Sequence, residues 1–167
     1  MLNKSFTLVE TIVAITVLTT GILAVSSLIS YSLSSASFVR QKLIAAYLAQ
    51  EGIEIVRNIK DKNILEIMNG VGERKWDDNL ACQGGCSRFD YRSQVLPDQT
   101  CTGEYLSVVD GLYQCTSTSP IKLKRTVTVT TTDNTAMEVT VEVSWKTRGR
   151  EHSVKAQEVF YNYWLPQ

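Results

Sequence analysis

A long uncharged stretch near the N-terminus constrains the fold of this chain more than any other feature. Between Lys4 and Arg40 the only charged residue is Glu10, and from Thr11 to Val39 there is none. An α-helix needs about 20 predominantly apolar residues to cross the hydrocarbon core of a bilayer. A charged side chain inside that core costs roughly 2.5–3.5 kcal/mol on insertion scales. We therefore expect a membrane-length helix in which Glu10 has a partner or a use.

Three simpler explanations of this apolar segment are possible. A cleaved signal peptide would begin with Lys4 and could be cut near Ala24-Val25-Ser26, but its apolar region is only about 7–15 residues long. A single-span anchor with an interfacial glutamate fits the length. A buried helix of a soluble protein is disfavoured by the length. Lys4 and the initiator amine on one side nearly balance Arg40 and Lys42 on the other, so the charges predict no orientation.

The string Ser5-Phe6-Thr7-Leu8-Val9-Glu10 before an apolar helix resembles the processing and methylation motif of type IV prepilins and type II secretion pseudopilins. That family has a small residue, usually Gly, before the cut; here it is Ser5. The resemblance implies that a prepilin peptidase cuts between Ser5 and Phe6 and methylates the new amine of Phe6. It also implies that Glu10 pairs with that amine on a neighbouring subunit. A buried ion pair is tolerable where either charge alone is not.

The implied architecture is pilin-like and of the α+β class, with a long N-terminal helical spine packed on a small antiparallel sheet. The expected domains are a leader peptide at 1–5, a transmembrane or filament-core half of the helix at 6–35, an amphipathic half at 36–62, and a globular β domain with a Cys-containing variable region at 63–167.

Helical periodicity continues beyond the apolar stretch. Apolar residues recur on one face at Ile44, Leu48, Ile55 and Ile59. Gly52 lies within this pattern. It is either tolerated there, at a cost of about 1 kcal/mol relative to Ala, or marks a close packing contact.

Three alternating runs near the C-terminus predict an antiparallel meander with one apolar face. They are Thr126–Thr130, Val139–Trp145 and Ser153–Phe160, with turns at Asp133-Asn134 and Arg148-Gly149-Arg150. The amphipathic half of the helix is the obvious cover for this face. The face is formed by Val127, Val129, Val139, Val141, Val143 and Trp145.

The region between helix and meander is irregular in composition. Strand-like runs occur at Phe89–Val95 and Tyr105–Val109, and Asp110-Gly111 predicts a hairpin turn before Leu112.

Four cysteines lie in the same region, at Cys82, Cys86, Cys101 and Cys115. An even number beyond a membrane segment favours disulfides formed in an oxidising compartment. Three pairings are possible, and proximity favours Cys82–Cys86 and Cys101–Cys115. A four-thiolate zinc site is the alternative, although such sites more often have close Cys-x2-Cys pairs on both sides.

No catalytic constellation is visible. His152 is the only histidine, and Asp77-Asp78 are expected to be solvated in a polar loop. There is no phosphate-binding glycine loop and no nucleophile motif, so we expect neither enzyme activity nor a cofactor.

The net charge of zero gives no reason to expect nucleic-acid binding. Lys122, Lys124 and Arg125 are expected to be solvated at the start of a strand, with a DNA contact during uptake as a remote alternative.

The C-terminal aromatic residues Tyr161, Tyr163 and Trp164 are expected at the edge of the core, with a contact to a neighbouring subunit as the alternative. The segment Gln50-Glu51-Gly52-Ile53-Glu54 and the C-terminal strands resemble those of pilus-modification minor pilins and related minor pseudopilins.

The resemblance implies a non-enzymatic structural subunit, a minor one, of a type IV pilus or of a type II secretion or competence pseudopilus. Its implied partners are prepilin peptidase, other pilin or pseudopilin subunits, the inner-membrane assembly platform and membrane lipid. The implied location is the bacterial cytoplasmic membrane, with a single pass and the globular domain outside the cytoplasm, followed by the filament. A single-span anchored extracellular binding domain unrelated to pili and a secreted disulfide-rich domain are the alternatives.

Overall fold

One long helix precedes two small antiparallel sheets. The computed structural model describes residues 7–70, 74–101, 103–116, 122–132 and 135–163. The elements are helix α1 at Leu8–Met68 and strands β1 at Tyr105–Val109, β2 at Leu112–Thr116, β3 at Lys124–Thr131, β4 at Ala136–Thr147 and β5 at Arg150–Tyr161. The predicted α+β class is confirmed. The chain divides into two compact units, Met1–Gln41 and Lys42–Gln167.

The C-terminal meander is confirmed as a sheet of order β3-β4-β5, antiparallel throughout. Thr147 pairs with Arg150 across the β4–β5 turn, where both Arg148 and Gly149 have positive φ. This is the two-residue turn that matches the twist of paired strands. The turn predicted at Asp133-Asn134 lies outside the described residues.

The predicted hairpin turn at Asp110-Gly111 is also confirmed, between β1 and β2. Val109 pairs with Leu112, and Asp110 and Gly111 have φ of 52° and 80°. Asp and Gly tolerate these left-handed values better than most residues.

The apolar face of the meander is buried against the second part of α1. The six residues predicted for this face are all nearly inaccessible to solvent. On α1, Leu48, Ile55 and Ile59 are buried as predicted, whereas Ile44 is only half-buried. The helix ends at Met68 rather than near Lys62.

The prediction of a strand at Phe89–Val95 is wrong, because this segment turns on itself. The backbone N–H of Arg92 donates to Asp90 Oδ1 at 2.9 Å, and that of Ser93 donates to the Asp90 carbonyl at 3.1 Å. Asp and Ser side chains offer the backbone such local partners in place of a sheet ladder.

Candidate functional site

The segment around Glu10 starts helix α1. Thr7 is the N-cap residue: its Oγ1 accepts a hydrogen bond from the Glu10 backbone N–H at 3.3 Å. Thr7 and Glu10 therefore occupy the two positions of a capping box, a Ser/Thr followed three residues later by Glu or Gln. A carboxylate in the first turn is also favoured by the helix dipole. Glu10 thus has a local role at the start of the helix besides any role between subunits.

Ser5 and Phe6 lie outside the described residues. Cleavage between them and methylation of Phe6 therefore stay predictions.

The first part of α1 presents an almost continuous apolar surface. Its large apolar side chains from Leu8 to Val39 are more than half exposed, with Leu8 at 75%, except for the half-buried Phe38. The helix is long and apolar enough to cross a membrane. A surface of this size needs a cover of lipid or of other apolar helices.

Six hydroxyl side chains on this surface are hydrogen bonded within the helix itself. Each of six side chains donates a hydrogen bond of 2.8–3.2 Å to a backbone carbonyl three or four residues earlier. They are Thr11, Thr16, Thr19, Thr20, Ser27 and Ser30. Such bonding lets Ser and Thr lie in an apolar environment without an external partner. Glu10 is the one charged residue between residues 7 and 39.

In the globular unit, the expectation that Arg125 is solvated is wrong. Its side chain is completely buried. The guanidinium donates to Glu51 Oε1 at 3.0 Å, to the Leu48 carbonyl at 3.2 Å and to the Phe89 carbonyl at 3.4 Å, and lies 4.4 Å from the centre of the Phe89 ring. Burial lowers the pKa of Arg125, and the negative charge of Glu51 opposes that shift. Arg125 therefore ties β3 to α1 and to the irregular segment.

Of the other two members of the predicted basic cluster, Lys122 is exposed and Lys124 is half-buried. Lys124 forms an ion pair with Glu104 at 2.7 Å, and the Lys122 Nζ lies 5.9 Å from the centre of the Tyr105 ring. Successive side chains of a strand point to opposite faces of the sheet. Arg125 therefore lies on the same face as the buried Val127 and Val129, and Lys124 lies on the opposite face.

Gly52 marks a close contact between α1 and the sheet. A Cβ on Gly52 would lie 2.7 Å from Val141 Cγ1 and 3.2 Å from Arg125 Cδ. Since Val141 and Arg125 are both fully buried, neither can move aside easily. Of the two interpretations of Gly52, the structure supports close packing.

The cysteines are joined as Cys82–Cys86 and Cys101–Cys115, with Cα–Cα distances of 5.4 and 5.6 Å. This is the pairing that proximity in the chain favours. In the described residues no group of three or more His, Cys, Asp or Glu side chains could hold a metal ion.

The C-terminal tyrosines are not at the edge of the core as expected. Tyr161 and Tyr163 are 51% and 82% exposed, with ring centres 5.9 Å apart. Trp164 lies outside the described residues. His152 contacts the ring of Trp145, 5.7 Å between centres, across the β4–β5 pair.

The polar loop at residues 74–80 is partly anchored. Trp76 is buried, and the buried amide of Asn63 on α1 donates to the carbonyls of Trp76 and Asp78 at 3.2 and 2.6 Å. An open cleft of about 600 Å³ lies beside this loop and is lined by Asp77, Asp78 and Val129 among others.

Comparisons with protein-family models, with curated proteins and with solved structures found no match for this chain.

Proposed function

We propose that this chain is a structural subunit, a minor one, of a type IV pilus or of a type II secretion or competence pseudopilus. We assign the chain no enzymatic activity and no cofactor. The subunit is cut by prepilin peptidase between Ser5 and Phe6, waits in the bacterial cytoplasmic membrane, and then joins a filament through the apolar part of α1.

The observation that carries the proposal is the position of Glu10. It is four residues after Phe6, at the start of an apolar surface on which it is the only charged residue as far as Val39. A carboxylate and an ammonium are each costly in an apolar environment, whereas a close pair of them is tolerable. Pairing Glu10 with the amine of a neighbouring Phe6 would fix the axial register between subunits.

The fold supports the proposal as well. The second part of the helix is covered by an antiparallel meander, while the large apolar side chains of its first part are exposed. This arrangement suits a subunit that is held by its helix and displays its sheet.

A second candidate function is a single-span membrane-anchored binding domain unrelated to filaments. The length and composition of the apolar segment favour it equally. In that case Glu10 serves only the helix start, through the capping box with Thr7.

The mass and N-terminal sequence of the chain recovered from membranes distinguish the candidates. The proposal predicts a chain that starts at Phe6 with a methylated amine. An intact Met1 would indicate a simple anchor, and a start near Leu28 would indicate secretion.

Two substitutions separate the pairing role of Glu10 from its capping role. Glu10→Gln keeps a residue that can complete a capping box but removes the charge, and Glu10→Leu removes both. We expect both variants to insert in the membrane and both to be lost from sheared filaments, because neither can pair with an ammonium. Normal incorporation of the Gln variant would mean that Glu10 acts only as a cap.

A further inference from the structure

A loop closed by a disulfide covers the outer edge of β3. Val127 exchanges backbone hydrogen bonds with Cys86 at 2.7 and 2.8 Å, and the Val129 N–H donates to the Cys82 carbonyl at 3.1 Å. The two residues that make these contacts are the two that the Cys82–Cys86 bond joins. The loop at residues 82–86, called the edge loop below, therefore takes the place of a neighbouring strand.

A glycine lets the edge loop lie close to β3. Gly85 has a φ of 85°, which residues with a side chain rarely adopt. A Cβ on Gly85 would also lie 3.2 Å from Thr126 Cγ2. A Cβ on the neighbouring Gly84 would meet nothing within 4 Å. The contact with β3 thus depends on residue 85 having no side chain, as well as on the backbone hydrogen bonds and the disulfide.

Without the edge loop, β3 would expose an edge that readily pairs with another chain. Only Thr and Val occur from Thr126 to Thr132, so this stretch has no charge, proline or glycine. Segments of about six or seven residues with high β propensity, low charge and no proline are typical of strands that stack on copies of themselves. Natural proteins cover such edges to prevent this pairing.

The disulfide is shielded once the edge loop is in place. Cys82 is 1% exposed and Cys86 is 8% exposed. Thiol–disulfide exchange requires that an attacking thiolate reach a sulfur atom. The bond therefore has to form before the edge loop is fully packed against β3, and it is protected from reductants afterwards.

We propose that the Cys82–Cys86 disulfide is a guard that keeps β3 from pairing with β3 of a second copy of this chain. The bond is supplied by a thiol–disulfide exchange. In this reaction the two cysteine thiols lose two electrons and two protons as their S–S bond forms, and a donor disulfide takes these up and becomes two thiols. With the bond formed, the edge loop occupies the edge of β3. Without the bond, a second copy occupies it. This inference does not depend on the proposed function.

The sequence of β3 favours a second copy as the occupant. An antiparallel pair of β3 strands centred on Thr128 would put Val127 opposite Val129 and Thr126 opposite Thr130, so each side chain would meet one of its own kind. Directly opposite residues of antiparallel strands lie on the same face and interact, and Thr–Thr pairs are among those that stabilise sheets. Since the stretch carries no charge, no repulsion opposes this pairing.

Amide hydrogen exchange of the double variant Cys82→Ala with Cys86→Ala tests the proposal. It is followed by NMR on the full-length chain in detergent micelles. In dilute solution we expect the amides of Val127 and Val129 to exchange roughly thirtyfold faster than in wild type, the factor by which closing a loop of about five residues shifts the equilibrium in the chain-entropy description. The amide of Thr128 is an internal control, because alternation directs it to β4 and not to the edge loop.

Raising the concentration of the double variant identifies the occupant. As copies pair, the amides of Val127 and Val129 should become protected again, and the protein mass measured by sedimentation should double. Wild type has the same apolar part of α1, so association through that helix would appear in both proteins and would not change these two amides. Exchange that stays fast at millimolar protein would overturn the proposal. So would unchanged exchange in dilute solution, or equal acceleration at Thr128, which would show a general loss of stability.

Gly85→Ala is a second test that keeps both cysteines. A side chain at residue 85 should push the edge loop away from β3, because it would contact Thr126 and strain the backbone. We expect the amides of Val127 and Val129 to exchange several-fold faster in this variant with the disulfide intact. Gly84→Ala is the matched control and should exchange as wild type does. Equal exchange in the two glycine variants would contradict the proposed role of the edge loop.

Discussion

Gly52 shows how one residue can set the distance between a helix and a sheet. Glycine in a helix costs about 1 kcal/mol relative to alanine, so Gly52→Ala would stabilise α1 if nothing else changed. The added methyl group would, however, lie 2.7 Å from a methyl of the fully buried Val141. Overpacking of a core typically costs 1–3 kcal/mol, which exceeds the gain.

We therefore expect Gly52→Ala to lower the free energy of unfolding by about 1 kcal/mol or more. Urea unfolding of the full-length chain in detergent, followed by the fluorescence of the buried Trp76 and Trp145, measures this. Gly21→Ala is the matched control, because a Cβ on Gly21 meets nothing within 4 Å. An unchanged or higher stability of the Gly52 variant would contradict the close packing described above.

Asp90 gives the irregular segment a dependence on pH. Burial acts to raise the pKa of Asp90, but hydrogen bonds from the Arg92 side chain and from the backbone N–H groups of Arg92 and Cys115 outweigh it and lower the pKa below its usual value. A carboxyl group with a lowered folded-state pKa stabilises the fold above its unfolded pKa of about 3.9, and this contribution is lost as the pH falls through the folded value.

The stability difference between wild type and Asp90→Asn should therefore be largest near neutral pH and should shrink below about pH 4. Urea midpoints measured from neutral to acidic pH test this. Asp110→Asn, in the exposed β1–β2 turn, controls for the loss of a negative charge. A difference that is constant with pH would show that the Asp90 carboxylate is not the group responsible.

At the scale of elements, the two disulfides close loops of different length. The paired cysteines are 14 positions apart in Cys101–Cys115 and 4 apart in Cys82–Cys86. In the chain-entropy description, a crosslink stabilises more when it closes a longer loop, about 3 kcal/mol for 15 residues and roughly 2 kcal/mol for a loop of about five. Replacing Cys101 and Cys115 by alanine should therefore cost more than replacing Cys82 and Cys86.

The unfolding of the two double variants compares these costs directly. Mass spectrometry after thiol alkylation, with and without reductant, shows first whether the bonds are present. We expect no alkylated cysteine without reductant and all four with it. Equal losses of stability would mean that the packing of these disulfides outweighs loop length.

Strands and helix faces could be predicted here because a single periodicity governs each. The alternation of Val127 and Val129 gives β3, and Asp110-Gly111 gives the β1–β2 turn. The segment at Phe89–Val95 could not be predicted in the same way, because Asp90 and Ser93 satisfy the backbone locally. The burial of Arg125 was missed although it is in phase with Val127: its charge argued for solvent, and its partners on α1 are 74 and 77 residues away in the chain.

The features of the candidate site differ in how far the sequence predicts them. Glu10 is conspicuous in the sequence because it is alone among apolar residues, and no contact of the folded chain is needed to find it. Its second role, in the capping box with Thr7, can also be predicted from the sequence, from the pattern Thr-x-x-Glu. The cover on the outer edge of β3 cannot, because the sequence does not tell which strand of a meander is covered on its outer side. That depends on where the loop at residues 82–86 folds.

At the scale of the whole molecule, the disulfides constrain which side of a membrane the globular unit occupies. Positive charges on the two sides of the apolar segment are nearly balanced and predict no orientation. Disulfides, however, form and persist in oxidising compartments and are rare in the cytosol. Since both bonds are in the globular unit, we expect this unit outside the cytoplasm.

A pair of reporters fused after the last residue tests this orientation. Alkaline phosphatase is active only outside the cytoplasm, and a fluorescent protein that fails to fold after export is bright only inside it. We expect an active phosphatase fusion and a dark fluorescent fusion. Deleting residues 7–39 is the matched control: it removes the apolar segment, so the unit should stay in the cytoplasm with its four thiols reduced and the two signals exchanged. A bright fluorescent fusion of the intact chain would contradict the orientation, since the disulfides would then have to form in a reducing compartment.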